Sequence, residues 1–173
     1  MNWCMGVDPG KSGCLCFLRA DRGNHKFYDW PKDVSLETYY AQICSFLSGK
    51  QISMCVIEKV HAMPKQGVSS MFSFGMNFGI WQGWIMSWHI PCMQVAPQTW
   101  MKGLIHKSDG NTTKKQIAEA AHRMFPDAEL YGPMGGYKDG RGDSLLMAYY
   151  ALLQTPEGCP IERPKTYKSL RRT

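Results

Sequence analysis

The sequence predicts an α/β domain, and three observations carry that expectation. The chain opens with the apolar run Trp3-Cys4-Met5-Gly6-Val7, which ends on Asp8, turns through Pro9, Gly10 and Gly13, and resumes as Cys14-Leu15-Cys16-Phe17-Leu18, the pattern of two adjacent strands. Residues 52–57 form a second, nearly continuous apolar run, as expected of a central strand covered on both faces, and it too closes on a carboxylate, Glu58. Between and after these runs, apolar residues recur at the three- and four-residue steps of helices.

Taken in order, residues 25–30 read as a third strand that completes an antiparallel meander, with Asp21-Arg22-Gly23-Asn24 as its turn. Ser35 is placed to cap a helix carrying Leu36, Tyr39, Tyr40, Ile43, Phe46 and Leu47, with Gly49 as its stop. From Gln66 to Met101 no residue is charged. Phe74, Phe78, Trp81, Ile85 and Trp88 form one helical stripe there, which polar Ser73, Asn77, Gln82 and His89 mark as a buried helix rather than a membrane span. Gly75, Gly79 and Gly83 form a second stripe. Each destabilises a helix interior by about 1 kcal/mol relative to Ala, so close packing is expected there, either on the sheet or on a second copy of the chain. A short strand over 92–95 follows, then a turn or short helix from Pro97 through Trp100 to Lys102. Thr112 or Thr113 caps a helix to about Phe125, with Lys114 and Lys115 unfavourably at the positive end of its dipole, which suggests an anionic partner there. The last helix carries Leu145, Leu146, Ala148, Tyr149, Leu152 and Leu153; if it begins at Asp139, then Asp139 and Asp143 share a face.

With 173 residues the chain is expected to form one domain over 1–160, followed by a basic tail over 161–173. A net charge of +6 is compatible with a polyanionic partner. Seven cysteines without a Cys-x-x-Cys pair or zinc-ligand spacing read as reduced, mostly buried residues of an intracellular protein, and no targeting segment is evident. Gly10-Lys11-Ser12 imitates a phosphate-binding loop, but Met5 stands where its first glycine is required, and a strand rather than a helix follows. Arg141-Gly142-Asp143 spells an integrin-binding tripeptide, a chance match in a chain of this kind. Residues 60–70 join Glu58 to the uncharged helix and offer Met63, Lys65, Gln66 and Gly67, groups suited to phosphates and unstacked bases.

The motifs Gly6-Val7-Asp8-Pro9-Gly10, Val56-Ile57-Glu58, Phe74-Gly75 through Gly83, Pro97-x-x-Trp100 and Asp139-Gly140-Arg141-x-Asp143-Ser144-Leu145-Leu146 occur in that order over most of the chain. Together they resemble the RuvC-type Holliday junction resolvases of the RNase H-like superfamily, most of all the branch found in phages and, as the monokaryotic chloroplast resolvase, in plastids. The resemblance implies an RNase H-like α/β fold with a mixed five-stranded sheet flanked by helices, a homodimer, and a catalytic, metal-binding set of Asp8, Glu58, Asp139 and Asp143. Bacterial RuvC spaces its last two acids by three residues; here the gap is four, a departure that falls on Asp139.

Four carboxylates in one site suit two Mg2+ ions, with Mn2+ as a substitute, and no small-molecule cofactor is expected. The implied partner is a four-way DNA junction, cut by two symmetric nicks that leave 5′-phosphate and 3′-hydroxyl ends. Lys65, Lys102, Lys114, Lys115 and Arg141 are the expected phosphate contacts, and residues 63–67 the contact with the junction centre. The implied setting is the cytoplasm of a phage or bacterial host, or an organelle matrix such as that of the chloroplast. Two other readings share these features: another RNase H-like nuclease, such as a ribonuclease H or a transposase, and a non-catalytic junction-binding protein.

Overall fold

The computed structural model describes residues 2–59, 67–106 and 112–155. Met63, Lys65, Gln66 and the basic tail lie outside the described residues. Strands β1 (Asn2–Asp8), β2 (Cys14–Arg19) and β3 (His25–Asp29) form the expected antiparallel meander. Helix α1 (Leu36–Leu47) then carries the chain to β4 (Gln51–Glu58), which pairs parallel to β1. Helix α2 (Val68–Ser87) leads to β5 (Cys92–Val95), parallel to β4, and three helices follow: α3 (Pro97–Met101), α4 (Thr113–Met124) and α5 (Asp139–Gln154). The sheet order is β3-β2-β1-β4-β5, a mixed five-stranded sheet.

Local chemistry sets the boundaries. The Ser35 side chain accepts a hydrogen bond from the Thr38 backbone N–H and so caps α1, while Gly49, just past its end, takes the left-handed conformation at φ 71°. Thr112 caps α4 in the same way, accepting from the Lys115 N–H.

Alternation along β1 separates two cores. Trp3, Met5 and Val7 face α1 and α2, together with Leu15, Phe17, Cys55 and Ile57. Cys4 faces the other way with Cys16, Leu18 and Val56, under α3, α4 and α5. On that second face α5 lies directly on β1. A Cβ at Gly6 would overlap the Ser144 carbonyl oxygen and the Ala148 nitrogen, so only glycine admits the helix there.

Helix α2 buries Trp81 and Ile85 of the expected stripe, with Phe74, Phe78 and Trp88 half-buried beside them, and it also buries the polar Asn77. Its glycines do not pack on the sheet: a Cβ at Gly75, Gly79 or Gly83 would meet nothing within 4 Å. Of the two expected contacts for this stripe, the sheet is excluded, because the helix turns its aromatic side inward and its glycine side outward. Val68, Phe72, Met76 and Met86 are exposed as well. Among the described residues, no helix is long and apolar enough to cross a membrane.

Candidate functional site

Asp8 and Glu58 close the two parallel central strands, so both carboxylates stand at the same sheet edge. By alternation both project toward α5, because Gly6 and Val56, two residues earlier in each strand, do so. Asp8 does two things there. Its Oδ1 accepts the Gly10 N–H at 2.9 Å and fixes the turn into β2, which makes it a turn former as well as a site candidate. Glu58 accepts a hydrogen bond at 3.3 Å from the indole N–H of Trp100, which α3 supplies from the end of β5.

Helix α5 starts at Asp139, and that start decides the geometry of the remaining pair. Asp139 and Asp143 lie one turn apart on the face that meets the ends of β1 and β4. Gly140 permits this approach, since a Cβ there would overlap the Ser12 carbonyl oxygen in the turn after Asp8. Two ion-pair groups hold the same end of the helix. Arg141 grips Asp29 of β3 in a bidentate pair at 2.7 and 2.9 Å, and Lys138 reaches the same carboxylate at 2.8 Å. Lys114, in the first turn of α4, pairs with Asp139. The anionic partner expected for the α4 N-terminus is thus present within the chain, at least for Lys114.

The electrostatics show that the four acids sense one another. Burial pushes Asp8 upward, opposed by its bond from Gly10 and reinforced by the charge of Asp139. Burial and the charge of Asp8 raise Glu58 to about 7 against the lowering effect of Trp100. Asp143 is held well above the carboxylate range by burial and by Asp8, Glu58 and Asp139 together, with Lys114 opposing. The inner oxygens, Asp139 Oδ1 and Asp143 Oδ1, are buried without a hydrogen-bond partner. An unpaired buried carboxylate oxygen costs several kcal/mol in the charged form, so these atoms call for a proton or a cation.

As the side chains stand, no group of three or more His, Cys, Asp or Glu residues among the described residues is arranged as a metal centre. The donor set nevertheless fits a hard divalent ion: it is carboxylate throughout, mutually repelling, and has two orphaned inner oxygens.

The expected phosphate contacts fare differently from the acids. Lys102 and Lys115 are exposed, and Gly67 caps the N-terminus of α2. Arg141 has its side chain only 16% exposed and bonded to Asp29 and the Glu129 carbonyl, so in this structure it braces α5. Two residues escaped the sequence reading. Asp29 gave no signal, because its partners lie more than a hundred positions away. Tyr137 places a buried, unpaired hydroxyl over Gly142, where any Cβ would overlap it. Burial, with the charges of Asp143 and Asp139, pushes that hydroxyl upward, so it stays protonated and available to donate.

No protein-family model matches the chain, and no curated protein matches it by sequence. Solved structures match it by shape. RuvC of T. thermophilus in complex with a Holliday junction substrate superposes with a TM-score of 0.59 and 12% identity, covering 87% of this chain and 92% of that one. A second structure of Thermus thermophilus RuvC gives 0.53 and 13%, covering 84% and 90%. The likeness fixes the fold as RNase H-like, the class expected from the sequence.

Proposed function

We propose that this chain is a metal-dependent endonuclease that resolves four-way DNA junctions as a homodimer, and that it belongs with the phage and plastid branch of the RuvC-type enzymes. The observation that carries this reading is the convergence of Asp8, Glu58, Asp139 and Asp143, from three distant segments, on one end of the sheet with two inner oxygens left unpaired. The fold shared with RuvC bound to a Holliday junction supports it.

In this reading the four carboxylates hold two Mg2+ ions, for which Mn2+ substitutes. When bound, such a pair supplies a nucleophilic water at neutral pH and stabilises the departing 3′-oxygen. The chain's own residues set the stage. The Gly10 N–H and the Trp100 indole fix the orientations of Asp8 and Glu58, and the Asp29 clamp on Arg141 and Lys138 holds the α5 carboxylates opposite them. Lys114, paired with Asp139 at the rim of the site, stands where it would also meet an incoming phosphate. Lys102 and Lys115 extend the contact along the backbone, and residues 63–67 meet the junction centre.

The second copy covers the outer side of α2, where Val68, Phe72, Met76, Met86 and the three glycines are otherwise open. A two-fold dimer gives two sites for paired nicks. The setting proposed is the cytoplasm of a phage or bacterial host, or an organelle matrix.

The test is to incubate a synthetic four-way junction, an RNA–DNA hybrid and a linear duplex with the protein and Mg2+, and to map the cuts. Symmetric nicks confined to the junction are expected. Asp8→Asn is expected to abolish cutting while retaining junction binding; full activity of that variant overturns the assignment. Preference for the hybrid would instead identify a ribonuclease H, and binding without turnover a scaffold protein.

A further inference from the structure

The six described cysteines form no disulfide, and they fall into unlike classes. Cys4, Cys14 and Cys16 are buried on the α5 face, where burial pushes the Cys14 and Cys16 thiols upward and leaves them inert. Cys55 and Cys92 differ because they are register partners on the parallel strands β4 and β5. Adjacent strands lie about 4.8 Å apart, and paired residues of a parallel ladder project to the same face. That spacing falls inside the Cα separation of about 4.4–6.8 Å that a disulfide spans.

The two thiols are also unequal. Cys55 is fully buried, whereas Cys92 is exposed on the edge strand. Burial, with Cys92 beside it, holds the Cys55 thiol well above its ordinary value, whereas the neighbouring Cys55 thiol and the Ile57 backbone N–H lower Cys92 against burial. Cys92 is therefore the accessible and more readily ionised thiol of the pair, and Cys55 the buried one. An accessible thiol with a buried partner at disulfide distance is the arrangement of an attacking and a resolving cysteine.

We propose that Cys55 and Cys92 form a dithiol modification site, which hydrogen peroxide oxidises to an intramolecular disulfide between β4 and β5. The Cys92 sulfur attacks the peroxide O–O bond, taking one oxygen as a sulfenic acid while the other leaves and is protonated to water. The Cys55 sulfur then attacks the Cys92 sulfur; the S–S bond forms, and the sulfenic oxygen departs with the Cys55 proton as a second water. One peroxide accepts the two electrons the thiols lose, and a thiol reductant reverses the step. The bond would tie together the strands that end at Glu58 and lead to Trp100, yet its formation does not depend on the nuclease reading.

The test treats the reduced full-length protein with one equivalent of hydrogen peroxide, blocks residual thiols with iodoacetamide, and maps peptides by mass spectrometry without reduction. A Cys55–Cys92 cross-link within one chain, two hydrogens lighter and released by dithiothreitol, is expected. Cys92→Ala is expected to slow loss of the Cys55 thiol by at least about tenfold. Cys55→Ser is expected to leave Cys92 as a sulfenic acid that dimedone captures. An unreacted Cys92, a cross-link only between two chains, or equal loss of Cys55 in the Cys92→Ala protein overturns the proposal.

Discussion

The two faces of the sheet are packed by opposite means. Under α5 the contact is backbone on backbone: Gly6 and Gly140 are the points where a single methyl would collide with main-chain atoms across it. Across the sheet, α1 and α2 stand off behind a layer of rings, in which Trp3, Phe17, Tyr28, Tyr39, Phe46, Trp81 and Trp84 meet in edge and tilted pairs at 4.7 to 6.3 Å. Such pairs each add about 0.5–1.5 kcal/mol beyond area burial, but a thick layer of side chains transmits position loosely. The close face fixes coordinates, and it is the face that bears all four acids. The thick face supplies bulk, and it leaves the outside of α2 apolar.

The sharpest way to break this contrast is to add one methyl on the close face. Gly6→Ala is expected to destabilise the fold by about 3 kcal/mol, because Ser144 and Ala148 belong to the α5 backbone and cannot swing aside. Urea unfolding measures it. A Gly6→Ala protein as stable as the parent would mean that α5 does not rest on β1, and the placement of Asp139 and Asp143 would fall with it.

The next effect is electrostatic and again confined to the close face. Glu58 titrates near 7 in the fold against about 4.5 in the unfolded chain. Its contribution is therefore fully present below about pH 4.5 and is lost as the pH rises through 7. Without divalent ions, stability is expected to fall across that window by about 2 kcal/mol, a figure discounted for the part of Glu58 that remains in solvent. Glu58→Gln flattens the slope. Mg2+ is expected to raise the melting temperature more at pH 8 than at pH 5, where the site is already neutralised by protons; equal shifts at both pH values would separate the acids from the ion.

Much of this architecture is legible in the residue order, and what is not has a common cause. Strand and helix positions follow from local pattern: Ser35, Gly49, Thr112 and the start at Asp139 are short-range signals, whereas α2 starts at Val68, inside the stretch 60–70 expected to join it to Glu58. The carboxylates at strand ends are legible for the same reason. Partnerships formed across the fold are not. The pairing of Arg141 with Asp29 exists only once β3 is brought beside α5, Cys55 and Cys92 look like unrelated apolar residues until β5 pairs with β4, and the Tyr137 hydroxyl acquires its surroundings only when α5 closes. The glycines show both cases: Gly6 and Gly75 look alike in sequence, yet one admits a helix and the other opens on nothing.

That difference gives the smallest expected effect on the folded chain and the most direct reading of the thick face. Gly79→Leu adds a large side chain where no atom lies within 4 Å of the new Cβ, so nothing in the fold resists it, and the helix gains up to about 1 kcal/mol of intrinsic propensity. Light scattering on the parent is expected to give twice the chain mass of 19.7 kDa, and on the variant the single mass, with unfolding at least as late as the parent. A variant that keeps the double mass would move the dimer contact away from the glycine stripe, and a monomeric parent would remove the homodimer altogether. If instead the variant unfolds early, then the outer side of α2 is packed against the chain itself, and the division of labour between the two faces is not the one drawn from Gly6 and Gly79.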